Sequence, residues 1–277
     1  MSISAKDVKE LREQTGAGMM DCKKALQEAD GDFDQATEIL RKKGQKLSEK
    51  RADREANQGL VVTRVSDDGS QAAALEINCE TDFVARNEDF QNSAKEFLDI
   101  VFENKIESVD ELLETENEGL TVADHLKDMI GKIGEKLKIN KVVYAETDGS
   151  YISYIHPGNQ LGVLVEFEDD LEDDEIGRDV AMQIAAMNPL AVTRDGVDSS
   201  IVEKELQIAK EQLLEEGKSE EIAEKASQGK LRRFYEERVL LEQKFVKDNS
   251  LSVEEYLKNN DTPLVRSFHR IQLGDDS

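Results

Sequence analysis

A pattern that occurs twice constrains this chain more than any other feature: a strand, a turn, another strand, then an amphipathic helix. In the first copy LVVTRV enters the turn Asp67-Asp68-Gly69-Ser70, continues as AAALEINCE, and after a polar loop becomes an amphipathic stretch from Phe90 to Phe102. In the second, VVYAE turns through Thr147-Asp148-Gly149-Ser150 into YISYIH, Pro157-Gly158-Asn159 leads to LGVLVEFE, and an acidic loop precedes a helix from Ile176 to Met187. Strands joined through Asp-Gly turns run antiparallel, because the turn twists the backbone the way paired strands twist. Each sheet then has an apolar face that the following helix must cover. The predicted class is therefore α+β, with a core of two related antiparallel-sheet-plus-helix subdomains rather than a doubly wound parallel sheet.

Around this core lie helices with explicit punctuation. Ser4 with Asp7 opens a first helix carrying Val8 and Leu11, which Gly16-Ala17-Gly18 ends. A second helix starts near Met19 and runs through Cys22, Ala25 and Leu26 to Asp30-Gly31. Asp32 with Gln35 opens a third, whose Phe33, Ala36, Ile39 and Leu40 share a face. Residues 41–59 hold seven basic and three acidic residues with little apolar pattern, and read as a solvated helix or linker. Residues 103–139 are acidic and helix-prone, with Gly131 and Gly134 interrupting the series Met129, Ile130, Ile133 and Leu137.

Beyond Asp198, Val202, Leu206, Ala209 and Leu213 form a seam of heptad character, Gly217 ends it, and Ser219 to Phe234 forms a return helix. This helical hairpin projects as an arm, either merely solvated or used for docking or dimerisation. VEEYLKNN reads as a short helix and LVRSFHRIQLG as a strand that must join an existing sheet. The predicted division is 1–55 for the helical module and linker, 56–140 and 141–193 for the core subdomains, the latter completed by 236–277, and 194–235 for the arm.

Charge and motif content exclude whole function classes. The formal net charge is -25. That field repels phosphate backbones and anionic lipid, so no direct nucleic-acid or membrane partner is expected. The basic run 41–59 has no interleaved aromatics on which bases would stack. No apolar run approaches the roughly 18 residues that would span a bilayer, and MSISAKDVKE has no export-type apolar core, so a cytoplasmic chain is expected. The only cysteines, Cys22 and Cys79, read as free thiols. His125, His156 and His269 stand singly, without zinc spacing.

Neither catalytic group, metal nor cofactor is expected. Gly217-Lys218-Ser219 ends like a phosphate loop, but Gln212 stands where its first glycine belongs and a helix precedes it. Asp169, Asp170, Glu172, Asp173, Asp174 and Glu175 lack calcium-loop spacing and read as a solvated loop. His156 lies beside a Pro-Gly turn, where a surface imidazole is ordinary.

The loop Thr81-Asp82-Phe83-Val84-Ala85-Arg86-Asn87 stands out because it sets apolar side chains in a charged connector. Either Thr81 caps a helix beneath which Phe83 and Val84 tuck as core, or Phe83 is an exposed anchor flanked by a carboxylate and a guanidinium.

The segments LREQTGAGMMDCKKALQEADGDFDQA, TDFVARN after INCE, HPGNQLGVLV and IAEKASQGKLRRF resemble, in order, signature segments of the bacterial elongation factor Ts family. The resemblance implies a ubiquitin-associated-like N-terminal bundle, paired core subdomains and a coiled-coil hairpin. It also implies guanine nucleotide exchange on elongation factor Tu, met in its GDP-bound and nucleotide-free forms, during translation elongation, without covalent chemistry. By the same resemblance, Thr81, Asp82, Phe83 and Val84 would intrude near the partner's nucleotide-magnesium site. His156 and Gly162 fall in a second matching segment, and Leu11, Arg12 and Met19 in the docking module. Members often carry a further C-terminal helical module, where this sequence ends at Leu273-Gly274-Asp275-Asp276-Ser277.

Overall fold

The computed structural model describes residues 3–117 and 119–275. Ser4 and Asp7 form a reciprocal capping box for α1 (Ala5–Thr15), which ends at Gly16 with φ 68°. α2 (Met19–Glu28) and α3 (Phe33–Arg51), the latter capped by Asp32, pack on it around Val8, Leu11, Cys22, Leu26 and Ala36. The hairpin β1 (Gln58–Val65) and β2 (Gln71–Cys79) leads to the single turn α4 (Asp82–Ala85) and to α5 (Glu88–Asn104). α6 (Val109–Glu114), the small pair β3 (Glu116–Asn117) and β4 (Leu120–Thr121), and α7 (Val122–Ile133) then lead to β5 (Leu137–Glu146).

A second hairpin, β6 (Ser150–Ile155) and β7 (Leu161–Phe167), is followed by α8 (Asp174–Met187). The arm is α9 (Ser199–Glu215) and α10 (Glu220–Arg238), joined at Gly217, so the Gly-Lys-Ser triplet is a helix-to-helix turn. Within it Ala209 and Leu213 are buried, as are Ala223 and Leu231 on the return helix. The chain closes with β8 (Lys244–Phe245), β9 (Asp248–Ser252), α11 (Val253–Asn259) and β10 (Val265–Gln272). As its sequence required, β10 joins an existing sheet, pairing with β7.

One sequence expectation is overturned for a physical reason, and another, left between two readings, is decided. The sequence pattern places VVYAE in the second hairpin; in the structure β5 instead runs antiparallel along β2, and Thr147–Gly149 carries the chain across to the second sheet. The ladder from Gln71↔Glu146 to Cys79↔Leu137 gives β5 more backbone hydrogen bonds than a short hairpin with β6 would. A boundary at 140 would therefore cut a strand. Of the run read as a solvated helix or linker, residues 41–51 form the second half of α3, most of them exposed, with Gly44 buried where the helix packs on α7. Gly44 makes that contact. A Cβ on Gly131 of α7 would lie 3.0 Å from the Gly44 Cα, so glycines let the two helix backbones meet.

The sheets, ordered β1-β2-β5 and β10-β7-β6, pack against each other between outer helices. Along β2, Ala73, Leu75, Ile77 and Cys79 join Phe90, Phe97 and Leu126 on the helix side. Alternate residues Ala72 and Ala74 meet Tyr151, Leu164 and Ile271 of the second sheet. On β7, Val163, Val165 and Phe167 turn the other way, toward Val180, Ile184 and Leu257. The period-two pattern thus serves two cores at once.

Gly162 sits on the sheet-to-sheet face, where a Cβ would lie 2.7 Å from Val61 Cγ1 and 3.1 Å from Ile155 Cδ1. Gly162→Ala is expected to destabilise the chain by about 1–3 kcal/mol through overpacking, read as a lower denaturant midpoint at unchanged slope. His269 pairs in register with Leu164 and so shares this face. Burial, with help from the Lys141 charge and against Glu166, pushes its pKa below the usual 6.5. The fold therefore favours neutral imidazole: this contribution is intact above pH 6.5 and lost as pH falls below it, where only the unfolded chain takes up the proton. His269→Asn should flatten the fall in melting temperature between pH 7 and 5.5.

Candidate functional site

The turn between β2 and α5 is built from its base upward. Thr81 is extended and caps α4, its hydroxyl oxygen accepting from the Val84 N–H at 3.5 Å. That hydroxyl donates to Glu135 Oε1 at 2.7 Å, while the Thr81 and Glu80 N–H groups donate to Glu135 Oε2 at 3.0 and 3.1 Å. Beneath it the buried Cys79 thiol donates to the Thr81 carbonyl at 3.1 Å. Burial, then the Glu135 charge, pushes this thiol up to about 12, so it stays protonated and unreactive. At the far end Asn87 Oδ1 accepts from the Asp89 and Phe90 N–H groups and starts α5.

Glu80 anchors the turn from the other side. Its carboxylate accepts from Arg51 at 2.6 Å, Arg54 at 2.9 Å and the Lys136 N–H at 2.6 Å. Burial alone would raise its pKa, but the Lys136 N–H and the guanidiniums outweigh burial and hold it at about 2.

What this scaffold presents is Phe83. No residue of α4 is buried, and Phe83 is 82% exposed, the most exposed large apolar residue among those described. Asp82 and Arg86 flank it as an exposed ion pair at 3.0 Å. Val84 packs partly against the first core, so the alternative in which both apolar residues tuck inward holds for Val84 and fails for Phe83. A four-residue helix anchored at both ends has one outward face, and Phe83 occupies it.

The remaining expected site residues lie on other elements. Arg12 and Met19 are exposed on the N-terminal bundle, beside Met20. Leu11 is fully buried in the bundle core, so it can shape that surface but not touch a partner. His156 is exposed at the β6–β7 turn, its Nδ1 3.1 Å from the Tyr154 hydroxyl. Gly162 is likewise buried and serves sheet packing. Sequence reasoning missed Glu80, Glu135, Arg51, Arg54 and Lys136, because their pairings join residues 26 to 56 positions apart and leave no local pattern.

A cavity of about 700 Å³ lies elsewhere, where α3 meets α5 and α7, lined by Arg41, Leu47, Phe97, His125 and Asp128. Among the described residues no group of His, Cys, Asp and Glu could hold a metal ion, and no helix is long and apolar enough to cross a membrane.

The geometry defines a presenting site rather than an enclosing one: an aromatic anchor on a braced turn, suited to a protein surface. Comparison with known proteins gives the family. The sequence model of the family described as Elongation factor TS matches residues 80–275. Elongation factor Ts of Christiangramia forsetii is 44% identical over 275 residues, covering 98% of this chain and 99% of that protein. Elongation factor Ts of Prosthecochloris aestuarii is 46% identical over 286 residues, covering 98% and 99%, and that of Porphyromonas gingivalis 44% over 278, covering both in full. The chain belongs to the elongation factor Ts family.

Because its ring buries little, Phe83→Ala should change stability by less than about 0.5 kcal/mol. A buried phenylalanine would cost about 3–5 kcal/mol. Thermal and urea melts of the variant distinguish these directly.

Proposed function

We propose that this chain is a guanine nucleotide exchange factor for elongation factor Tu, accelerating GDP release by inserting the Thr81–Val84 turn near the partner's nucleotide-magnesium site. The carrying observation is Phe83, exposed on a turn whose anchors all lie below it. The free fold gains nothing from an aromatic ring on this braced turn, whereas a partner that buries it gains the anchor contact typical of interface hot spots.

Such a factor makes and breaks no covalent bond. It must bind the nucleotide-free GTPase more tightly than the nucleotide-bound one, and linkage makes factor and nucleotide weaken each other equally. Burial of Phe83 between packed elements of the partner, about 1.5–3 kcal/mol, counts only if it occurs in the distorted, nucleotide-releasing state. Asp82, exposed beside it, is the group that would disturb the partner's magnesium, through competition for the groups that orient the metal's ligands.

The other surfaces divide the work of docking. Arg12 and Met19 on the N-terminal bundle, residues 1–55, provide one contact, with Leu11 shaping it as in a ubiquitin-associated-like module. His156 on the β6–β7 turn provides another, in a core whose subdomains divide near Thr147–Gly149. The arm exposes Ile208, Leu214 and Ile222, which supports an association role, with the partner or a second copy. The protein would act in the cytoplasm, contacting neither nucleic acid nor nucleotide.

The test is release of a fluorescent GDP analogue from elongation factor Tu. Phe83→Ala should slow factor-stimulated release roughly tenfold to a hundredfold at unchanged fold, from the burial energy and about 1.4 kcal/mol per decade. Asp82→Ala should slow it too, with a deficit that varies with magnesium concentration. Parent-rate release by folded Phe83→Ala would remove the wedge from the mechanism.

A further inference from the structure

The last rung of the β2–β5 ladder is Cys79↔Leu137. Beyond it the chains stay tied by exchanged carboxylates. Glu80 accepts the Lys136 N–H at 2.6 Å, while Glu135 accepts the Glu80 and Thr81 N–H groups and the Thr81 hydroxyl. Each chain thus satisfies the other's backbone donors where ladder bonds have run out. A third segment enters the same knot. Arg51, the last residue of α3, and Arg54 both donate to Glu80, and Lys136 Nζ donates to the Ala52 and Arg54 carbonyls at 2.6 and 2.7 Å.

α3 runs unbroken from Ala36, buried in the bundle core, to Arg51 in the knot. At 1.5 Å per residue that is a rod of about 22 Å. Midway it is held to the body at Gly44 on Gly131 and by Arg41 with Asp128 at 3.5 Å. The Glu80 side chain is only 15% exposed and Arg51 20%, so their bond is sheltered from water and fixed in direction.

We infer that Glu80 and Glu135 are positioning residues for exchange: with Arg51 and Arg54 they join the bundle's long helix to the base of the presenting turn, so that docking through the bundle sets where Phe83 points. The inference rests on the exchange reading and adds the coupling of two surfaces treated there as separate. The two carboxylates have distinct tasks. Glu135 orders the turn itself, holding Thr81 ready as a cap; Glu80 relays the place of α3. Once the bundle has docked, a turn that samples several poses inserts only from the competent one, so the release step slows by that fraction while the docking affinity set by the bundle does not. The bundle's own contact surface, on α1 and α2, is untouched by either change.

The experiment uses the full chain with Glu80→Gln, Glu135→Gln and Arg51→Met, each isosteric or nearly so. Release of fluorescent GDP from elongation factor Tu is measured against factor concentration, with amide hydrogen exchange of the free proteins. The expected result is a kcat about tenfold lower, the effect of one charge-assisted hydrogen bond, with KM within about threefold of the parent. Arg51→Met should also speed exchange at the Thr81 amide, which Arg51 does not touch, and Glu80→Gln combined with Arg51→Met should be no slower than either alone.

Phe83→Ala in the same assay separates the two claims. If it is slow while folded Glu80→Gln and Arg51→Met retain parent kcat, the positioning role is overturned and the exchange reading stands. Parent-rate release by Phe83→Ala overturns both. A fall in kcat that tracks lost thermal stability, with Thr81 protection unchanged, reduces the knot to ordinary structure and overturns the inference as well. Should Glu80→Gln not fold, Arg54→Met, on the knot's exposed side, decides by the same readouts.

Discussion

The contact between the two sheets is the constraint on which the rest of the structure depends. A three-stranded sheet with apolar residues on both faces needs both covered, and here each is covered by helices on one face and by the other sheet on the second. The shared face is made from small or flat pieces, Ala72, Ala74 and Gly162 beside Leu164 and Tyr151, so the strands approach closely. Fixing the sheets also fixes what they carry: β2 and β5 end together at the knot of carboxylates, and the β6–β7 turn is tied to the first sheet where the Val61 N–H donates to the Asn159 carbonyl at 2.7 Å. The Phe83 turn and the His156 turn therefore stand on the same packed pair of sheets.

A rigid base suits an exchange factor. Binding energy can distort a partner only if the inserted element does not yield first. The turn at Thr81 meets this need by having its backbone donors spent on Glu135 and its helix capped at the start, leaving a single side chain with nothing to do in the free protein. The long α3 extends the base into the N-terminal bundle, so under the proposed function a bundle that docks and a turn that inserts would belong to one lever system rather than to modules on a string.

Most elements could be read from the sequence, because their signals are local. Ser4, Asp32 and Asn87 cap their helices through their own following residues, and the alternation in LGVLVEF faces the sides its period requires. What escaped was set by distant pairing. An Asp-Gly dipeptide at 148–149 looks the same whether its strands pair or part, and only the longer ladder offered by β2 decided for β5. Gly44 within a charged run gave no hint that Gly131 awaited it. At the site, composition singled out Phe83 but left it between core and surface. The deciding fact was tertiary: Glu135, 54 residues from Thr81, braces the turn, and Val84 and Ala85 pack against the core beneath it while Phe83 does not.

The central claim is that Phe83 is exposed in the free chain and buried only when the partner has lost its nucleotide. A fluorine label placed site-specifically on the Phe83 ring reads this directly by nuclear magnetic resonance. The signal should be sharp and solvent-sensitive in the free protein, shift and lose solvent sensitivity with nucleotide-free elongation factor Tu, and return when GDP and magnesium are added. A ring that stays solvent-exposed in the nucleotide-free complex, while the labelled protein still accelerates GDP release, would contradict the claim.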